Sequence, residues 1–196
     1  MPSQAAFDYL NKTSIESRKT HEQFVKECGE KVVEAAQLIS ACLKNGGKVL
    51  IFGNGGSAAD AQHMAAEMVG KMLIDRKPRS AIALTTDSSN LTAVGNDFGY
   101  DFVFVKQIHA LARKEDVVVA ISTSGNSRNV VLAVEEAKIL GCKVIGLLGG
   151  SGGKLKSMVD IPLTASLGAN SCRVQETHIF AIHSMIDLVD RFFHTD

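Results

Sequence analysis

His63 and Glu67 stand four residues apart in the segment GNGGSAADAQHMAAE, Gly53 to Glu67. On a helix that spacing sets them one turn apart on one face. A neutral imidazole and a carboxylate so placed can bind zinc or share a proton. Alone, such a pair is more often a surface hydrogen bond. A second set lies further along: Gln175, Glu176, His178 and His183, in an apolar frame of Ile179, Phe180, Ile182, Met185 and Ile186. A single histidine in such a frame is commonly a satisfied core residue. Gln175 and His183 are eight residues apart, about 12 Å along a regular helix. One metal touches both only with a stretched Gln175 or a frayed helix start; otherwise the two come from different subunits. The expectation carried forward is a site assembled between chains.

Two loops have the composition to hold an anion. Gly53 to Asp60 reads GNGGSAAD, and Ser122 to Ser127 reads STSGNS. Glycine lets backbone approach a ligand closely. A following helix offers unpaired N–H groups and partial positive charge. Ser57 adds a hydroxyl to the first loop, and the second carries three serines and a threonine. One such loop is commonly a turn and cap. Two, each directly after an apolar run, favour a phosphate or a sugar hydroxyl. Rival motifs fit poorly. Gly53-x-Gly55-x-x-Ala58 matches a loose dinucleotide fingerprint, but Asp75 precedes the second strand and Asp87 lies too far along. Gly153-Lys154 is followed by Leu155 where a nucleotide-binding P-loop needs Ser or Thr.

The elements that must position these residues alternate. Ser3 to about Asn45 is helical, with Val32, Ala36, Ile39 and Leu43 on one broad face. Strands are expected at 48–52, 81–86, 117–121, 143–148 and 161–165. Helices are expected at 58–73, 107–113, 129–140 and 173–193. Residues 87–104 are expected to hold a short helix, a loop at Gly95-Asn96-Asp97 and a further turn. Alternating strand and helix implies a parallel sheet covered on both faces. Ligands bind such sheets beyond the carboxyl ends of the strands, where both loops fall.

Composition excludes several classes. Lys+Arg and Asp+Glu both number 21 in 196 residues, so formal net charge is zero. That gives no case for nucleic acid or an anionic membrane. The four cysteines form no C-x-x-C pair. No apolar run approaches the ~18 residues of a membrane span, and the N-terminus lacks a signal-peptide core. The expected compartment is the cytoplasm.

GNGGSAADAQHMAAE, TAVGNDFGY, ISTSGNSRNV and RVQETHIFAIH, in this order and spacing, resemble the phosphoheptose isomerases, enzymes with the sugar-isomerase (SIS) domain. The resemblance runs from about Gly46 to Val189. It implies an α/β fold: a three-layer αβα sandwich with a five-stranded parallel sheet. Residues 1–45 would be an N-terminal helical extension joining a homotetramer core, and 46–196 the sugar-phosphate domain. The implied reaction turns sedoheptulose 7-phosphate into D-glycero-D-manno-heptose 7-phosphate, the first step toward nucleotide-activated heptose for lipopolysaccharide and related glycans.

Carried over residue by residue, the resemblance implies substrate contacts at Asn54, Gly55, Gly56 and Ser57, with Asn96 and Asp97. Ser122, Thr123, Ser124 and Ser127 would hold phosphate. Glu67 and His183 would be the acid/base pair. His63, Glu67, Gln175 and His183 would bind one zinc per subunit, with Glu67 and Gln175 also facing substrate. Many members carry an Asp-Thr pair just before R-[IV]-Q-E; here Gly168 to Cys172 lack the Asp. Two rival readings are an SIS protein that binds the replication initiator DnaA without catalysis, and an isomerase of another sugar phosphate. The carboxylate at 67 and the histidine at 183 favour catalysis.

Overall fold

A computed structural model describes residues 3–168 and 170–194. Helix α1 spans Gln4–Lys44, capped at its start by Ser3, whose hydroxyl accepts from Ala6 N–H at 3.2 Å. Such a cap satisfies one of the donors left over in a first turn. Thr20, Phe24, Cys28, Val32, Ala36 and Ile39 recur every three or four residues and are buried. The first half of α1 is exposed, including Phe7, Tyr9 and Leu10. The chain then alternates: β1 Val49–Gly53, α2 Gly56–Val69, β2 Ala81–Ala83, α3 Ser88–Phe98, α4 Val105–Leu111, β3 Val117–Ser122, α5 Arg128–Ile139, β4 Lys143–Gly149, β5 Ile161–Ala165 and α6 Ser171–His194.

The five strands form one parallel sheet in the order β2-β1-β3-β4-β5. β1, β3 and β4 are almost continuously apolar because both faces are covered. Side chains alternate between two cores. Val49, Ile51, Val119 and Leu147 pack under α1, α2 and α6. Leu50, Phe52, Val118 and Leu148 pack under α4 and α5. The second half of α1 shares the first of these cores, so the change at residue 45 is a change of element within one packed unit.

Two local expectations are corrected. The second strand is three residues long, because Thr85 and Thr86 turn away, their hydroxyls donating to Ala58 O and Ala83 O. Gly95-Asn96-Asp97 is not a loop: α3 runs through it and ends at Gly99, whose φ of +92° breaks the helix. Gly95 keeps an ordinary helical φ, so its presence did not mark a break. Among the described residues no helix is long and apolar enough to cross a membrane.

Candidate active site

Strand order sets where a ligand can sit. β2 lies on one side of β1, and β3, β4 and β5 lie on the other. The chain therefore reverses its winding direction between β1 and β3, and a crevice opens beyond their carboxyl ends. The loops 54–57 and 123–127 flank it, since Gly53 pairs with Ile121 across the sheet. A Cβ at Gly53 would stand 2.7 Å from Ile121 O and 2.7 Å from the Ser57 side chain. Only glycine lets α2 start this close to the sheet.

The serine loop is shaped as a donor cluster. Gly125 N–H bonds to Ser122 O at 3.1 Å, and Ser122 Oγ lies 3.1 Å from Ser127 Oγ. Ser127 makes no capping bond to α5. Val130 N–H donates to Asn129 Oδ1 and Val131 N–H to Ser127 O, which leaves the N–H groups of Arg128 and Asn129 to face an anion. A glycine-rich turn after β4, residues 149–153, supports this loop from behind. Leu155 N–H donates to Gly125 O at 3.0 Å and Lys154 N–H to Asn126 Oδ1 at 3.0 Å. Asn126 Nδ2 donates to Ser124 O at 2.9 Å.

Helices α2 and α6 bring the titratable groups together. His63 Nε2 and His183 Nε2 are 2.9 Å apart, and His63 Nε2 is 3.6 Å from Glu67 Oε1. His183 is half-buried and turned out of the apolar frame toward His63. All three groups belong to one chain. Gln175 sits elsewhere on the α2–α6 contact: a Cβ on Gly56 would overlap its carboxamide. Gly56 lies seven residues before His63 in α2. Asn96 and Asp97 are exposed on α3, where Asn96 Nδ2 donates to Asp97 Oδ1 at 2.8 Å. Of the segment 168–172, Ala169 lies outside the described residues, and Asn170 Oδ1 accepts from Arg173 N–H at 3.1 Å.

The donor types suit zinc. Two histidine nitrogens bound at 2.0–2.1 Å to one tetrahedral ion lie about 3.3 Å apart, close to the separation seen. Among the described residues no three His, Cys, Asp or Glu side chains already close on one point as a metal centre. Glu67 would have to rotate toward the histidine pair.

Arg76 holds this cluster in place, and nothing in the sequence pattern announces it. Its guanidinium donates to Glu67 O at 2.8 Å, Met68 O at 2.8 Å and Gly70 O at 2.9 Å. These are carbonyls that a helix end leaves unsatisfied. Its Nε bonds Asp190 Oδ1 of α6 at 2.9 Å, and Arg79 pairs with the same carboxylate. The helix carrying Glu67 is thus tied to the helix carrying His183.

Two buried groups near the site titrate in opposite senses. Burial pushes the His178 imidazole down to about 4, against the Leu148 carbonyl that its Nε2 meets. Burial pushes the Asp60 carboxyl up to about 6, with His63 opposing. Below pH 6.5 the unfolded chain protonates its histidine first, so the His178 contribution to stability is lost as pH falls toward 4. Asp60 binds its proton first in the folded state, so its contribution grows as pH falls from about 6 toward 3.8. Each amounts to roughly 3 kcal/mol across its window. Asp60→Asn is therefore expected to steepen the acid loss of stability, and His178→Gln to flatten it. Urea denaturation at pH 7, 5.5 and 4.5 reads both slopes; parallel slopes in all three proteins would contradict the assignment.

The chain is similar throughout to characterised families. The SIS domain family model matches residues 14–149. The phosphoheptose isomerase of Geotalea daltonii is 49% identical over 181 residues, 92% of this chain and 94% of the relative. That of Helicobacter pylori is 45% identical over 186 residues, covering 95% and 96%. The solved phosphoheptose isomerase GmhA from Neisseria gonorrhoeae superposes with a TM-score of 0.89 at 46% identity, over 95% of this chain and 99% of that one.

Proposed function

Since this chain belongs to the phosphoheptose isomerase family of SIS-domain proteins, we propose that it isomerises sedoheptulose 7-phosphate to D-glycero-D-manno-heptose 7-phosphate. It is an aldose–ketose isomerase. The observation that carries the reading is the gathering of Glu67, His63 and His183 in a chain that also presents two anion-suited loops at its topological switch point.

The reaction moves a proton between C1 and C2 through an enediol(ate). It needs proton transfer at the carbons and at their oxygens, and stabilisation of the charge that develops on the carbonyl oxygen. Glu67 is assigned to the proton at C2, and His183 to C1 or O1. His63 holds the His183 ring through the 2.9 Å contact. Ser122, Thr123, Ser124 and Ser127 take the phosphate, aided by the open start of α5. Asn54, Gly55, Gly56, Ser57 and Gln175 line the sugar side, with Asn96 and Asp97. A zinc ion, held by His63, His183 and a rotated Glu67, would polarise the carbonyl as a Lewis acid; Gln175, expected as a further donor, lies against Gly56 instead. An initiator-binding module needs no acid/base pair, so that alternative is not favoured.

The assembly we propose is a homotetramer joined through α1, with active sites at subunit boundaries. Three things support it. The first half of α1 leaves Phe7, Tyr9, Leu10 and Ile15 exposed. A groove of about 500 Å³ separates it from α6. His21 Nε2, Arg173 Nε and Glu176 Oε2, all lining that groove, are buried without partners. Sedimentation equilibrium is expected to give about four times 20.9 kDa; a stable monomer would overturn the arrangement. The cytoplasm fits the four free cysteines, three of them buried, and the product would enter lipopolysaccharide heptose synthesis.

The reaction is tested by NMR of sedoheptulose 7-phosphate in D₂O with purified protein, with and without zinc. The expected result is an aldoheptose phosphate carrying deuterium at C2. Absence of product under both conditions would move the assignment to another sugar phosphate.

A further inference from the structure

The two anion-suited loops come from different strands, yet two side chains bolt them together. Asn54, the first residue after β1, donates from Nδ2 to Asn129 Oδ1 at 2.8 Å. Asn129, the second residue of α5, donates from Nδ2 to Asn54 Oδ1 at 2.9 Å. The orientation of the Asn129 amide is fixed independently, because its Oδ1 also accepts Val130 N–H at 3.0 Å. Tyr100 O–H adds a longer bond to Asn54 Oδ1 at 3.4 Å. Asn129 is 4% exposed, so water competes little for these bonds.

This pairing changes what Asn54 can do. Its oxygen accepts two bonds and one of its N–H groups is taken, which leaves a single donor for a ligand. Most of the carboxamide is committed to holding the loop. Asn129 lies two residues past Ser127 and is therefore rigidly coupled to the serine loop through the first turn of α5. A bond between Asn54 and Asn129 fixes the distance from the serine loop to the Gly55–Ser57 turn. A ligand that touches only the serine loop is indifferent to that distance. One that reaches from the serine loop to the glycine turn is not.

We propose that Asn129 is a positioning residue that acts through Asn54 to set the span between the two loops, and so governs binding of ligands that bridge them. The proposal rests on the sugar-phosphate reading above. Inorganic phosphate serves as the ligand of one loop and sedoheptulose 7-phosphate as the ligand of both. Loss of the reciprocal bonds frees each loop to sample separations that do not match the sugar phosphate.

The test is calorimetric titration of both ligands into the full-length protein, in a Glu67→Gln background that keeps the sugar phosphate from turning over. Asn129→Leu keeps the side chain's shape without a hydrogen-bonding group or a charge; Asn129→Ala removes the link and the bulk. In both, the dissociation constant for sedoheptulose 7-phosphate is expected to rise about tenfold. That for inorganic phosphate is expected to stay within twofold of the parent. Asn54→Ala combined with Asn129→Ala is expected to weaken sugar-phosphate binding no more than Asn54→Ala alone, because Asn129 acts only through Asn54. Equal weakening of both ligands would show general damage to the serine loop and overturn the proposal, as would no change in either. A parent protein that binds sedoheptulose 7-phosphate no better than phosphate would overturn the sugar-phosphate reading and this proposal with it.

Discussion

Glu67→Gln is expected to lower kcat about a thousandfold while leaving KM within a few-fold of its original value. A positioned acid or base contributes on the order of 10²–10⁴ in rate, and a carboxamide can neither take nor deliver the proton at C2. The change is nearly isosteric and leaves the helix end intact, because Arg76 holds the Glu67 carbonyl rather than its side chain. The side chain is about a quarter exposed, and its Oε1 lies 3.6 Å from His63 Nε2. Stability should therefore move little. The measurement is coupled-assay kinetics, together with deuterium uptake at C2 by NMR and a thermal melt. Residual turnover above about a tenth of wild type would take Glu67 out of the proton-transfer role. Loss of activity with a collapsed melt would leave the fold as the cause, and that outcome contradicts the expected intact stability.

Gly125→Ala is expected to raise KM about a hundredfold. Gly125 has φ +65°, in the left-handed region, and a Cβ there would overlap the Gly152 carbonyl. Its own carbonyl accepts Leu155 N–H and its N–H donates to Ser122 O. The strain costs about 1–2 kcal/mol, and the overlap forces the serine loop off the glycine turn behind it. Losing two charge-assisted bonds to phosphate at about 1.5 kcal/mol each corresponds to a factor near 100. Gly150→Ala is the control. Gly150 also has positive φ, at +57°, but nothing lies within 4 Å of the added carbon. It should therefore lose stability with KM nearly unchanged. Equal KM values for the two variants would mean that the packing behind the serine loop does not shape the phosphate site.

Much of the fold was legible because its signals are local. An apolar run such as Val117–Ile121 can only be stable when covered on both faces, and Ser/Gly segments directly after β1 and β3 can only lie at strand ends. The misplaced loop at Gly95-Asn96-Asp97 shows the limit of such signals. A glycine in helical φ and one in left-handed φ read identically as letters, and Gly99 rather than Gly95 takes the break.

Residue type and helical spacing therefore determined, from sequence alone, the parallel α/β class, the two anion-suited loops and the pairing of His63 with Glu67. Each depends on backbone periodicity within one element, which a string of residues records directly. Tertiary structure decided the rest. It set His183 against His63, left Gln175 at Gly56, tied Arg76 to Asp190, and joined Asn54 to Asn129 across 75 positions. Those contacts depend on strand order and on the angle at which α6 crosses α2. Neither is encoded in any single segment, because both arise only when the separate apolar faces pack against a common sheet.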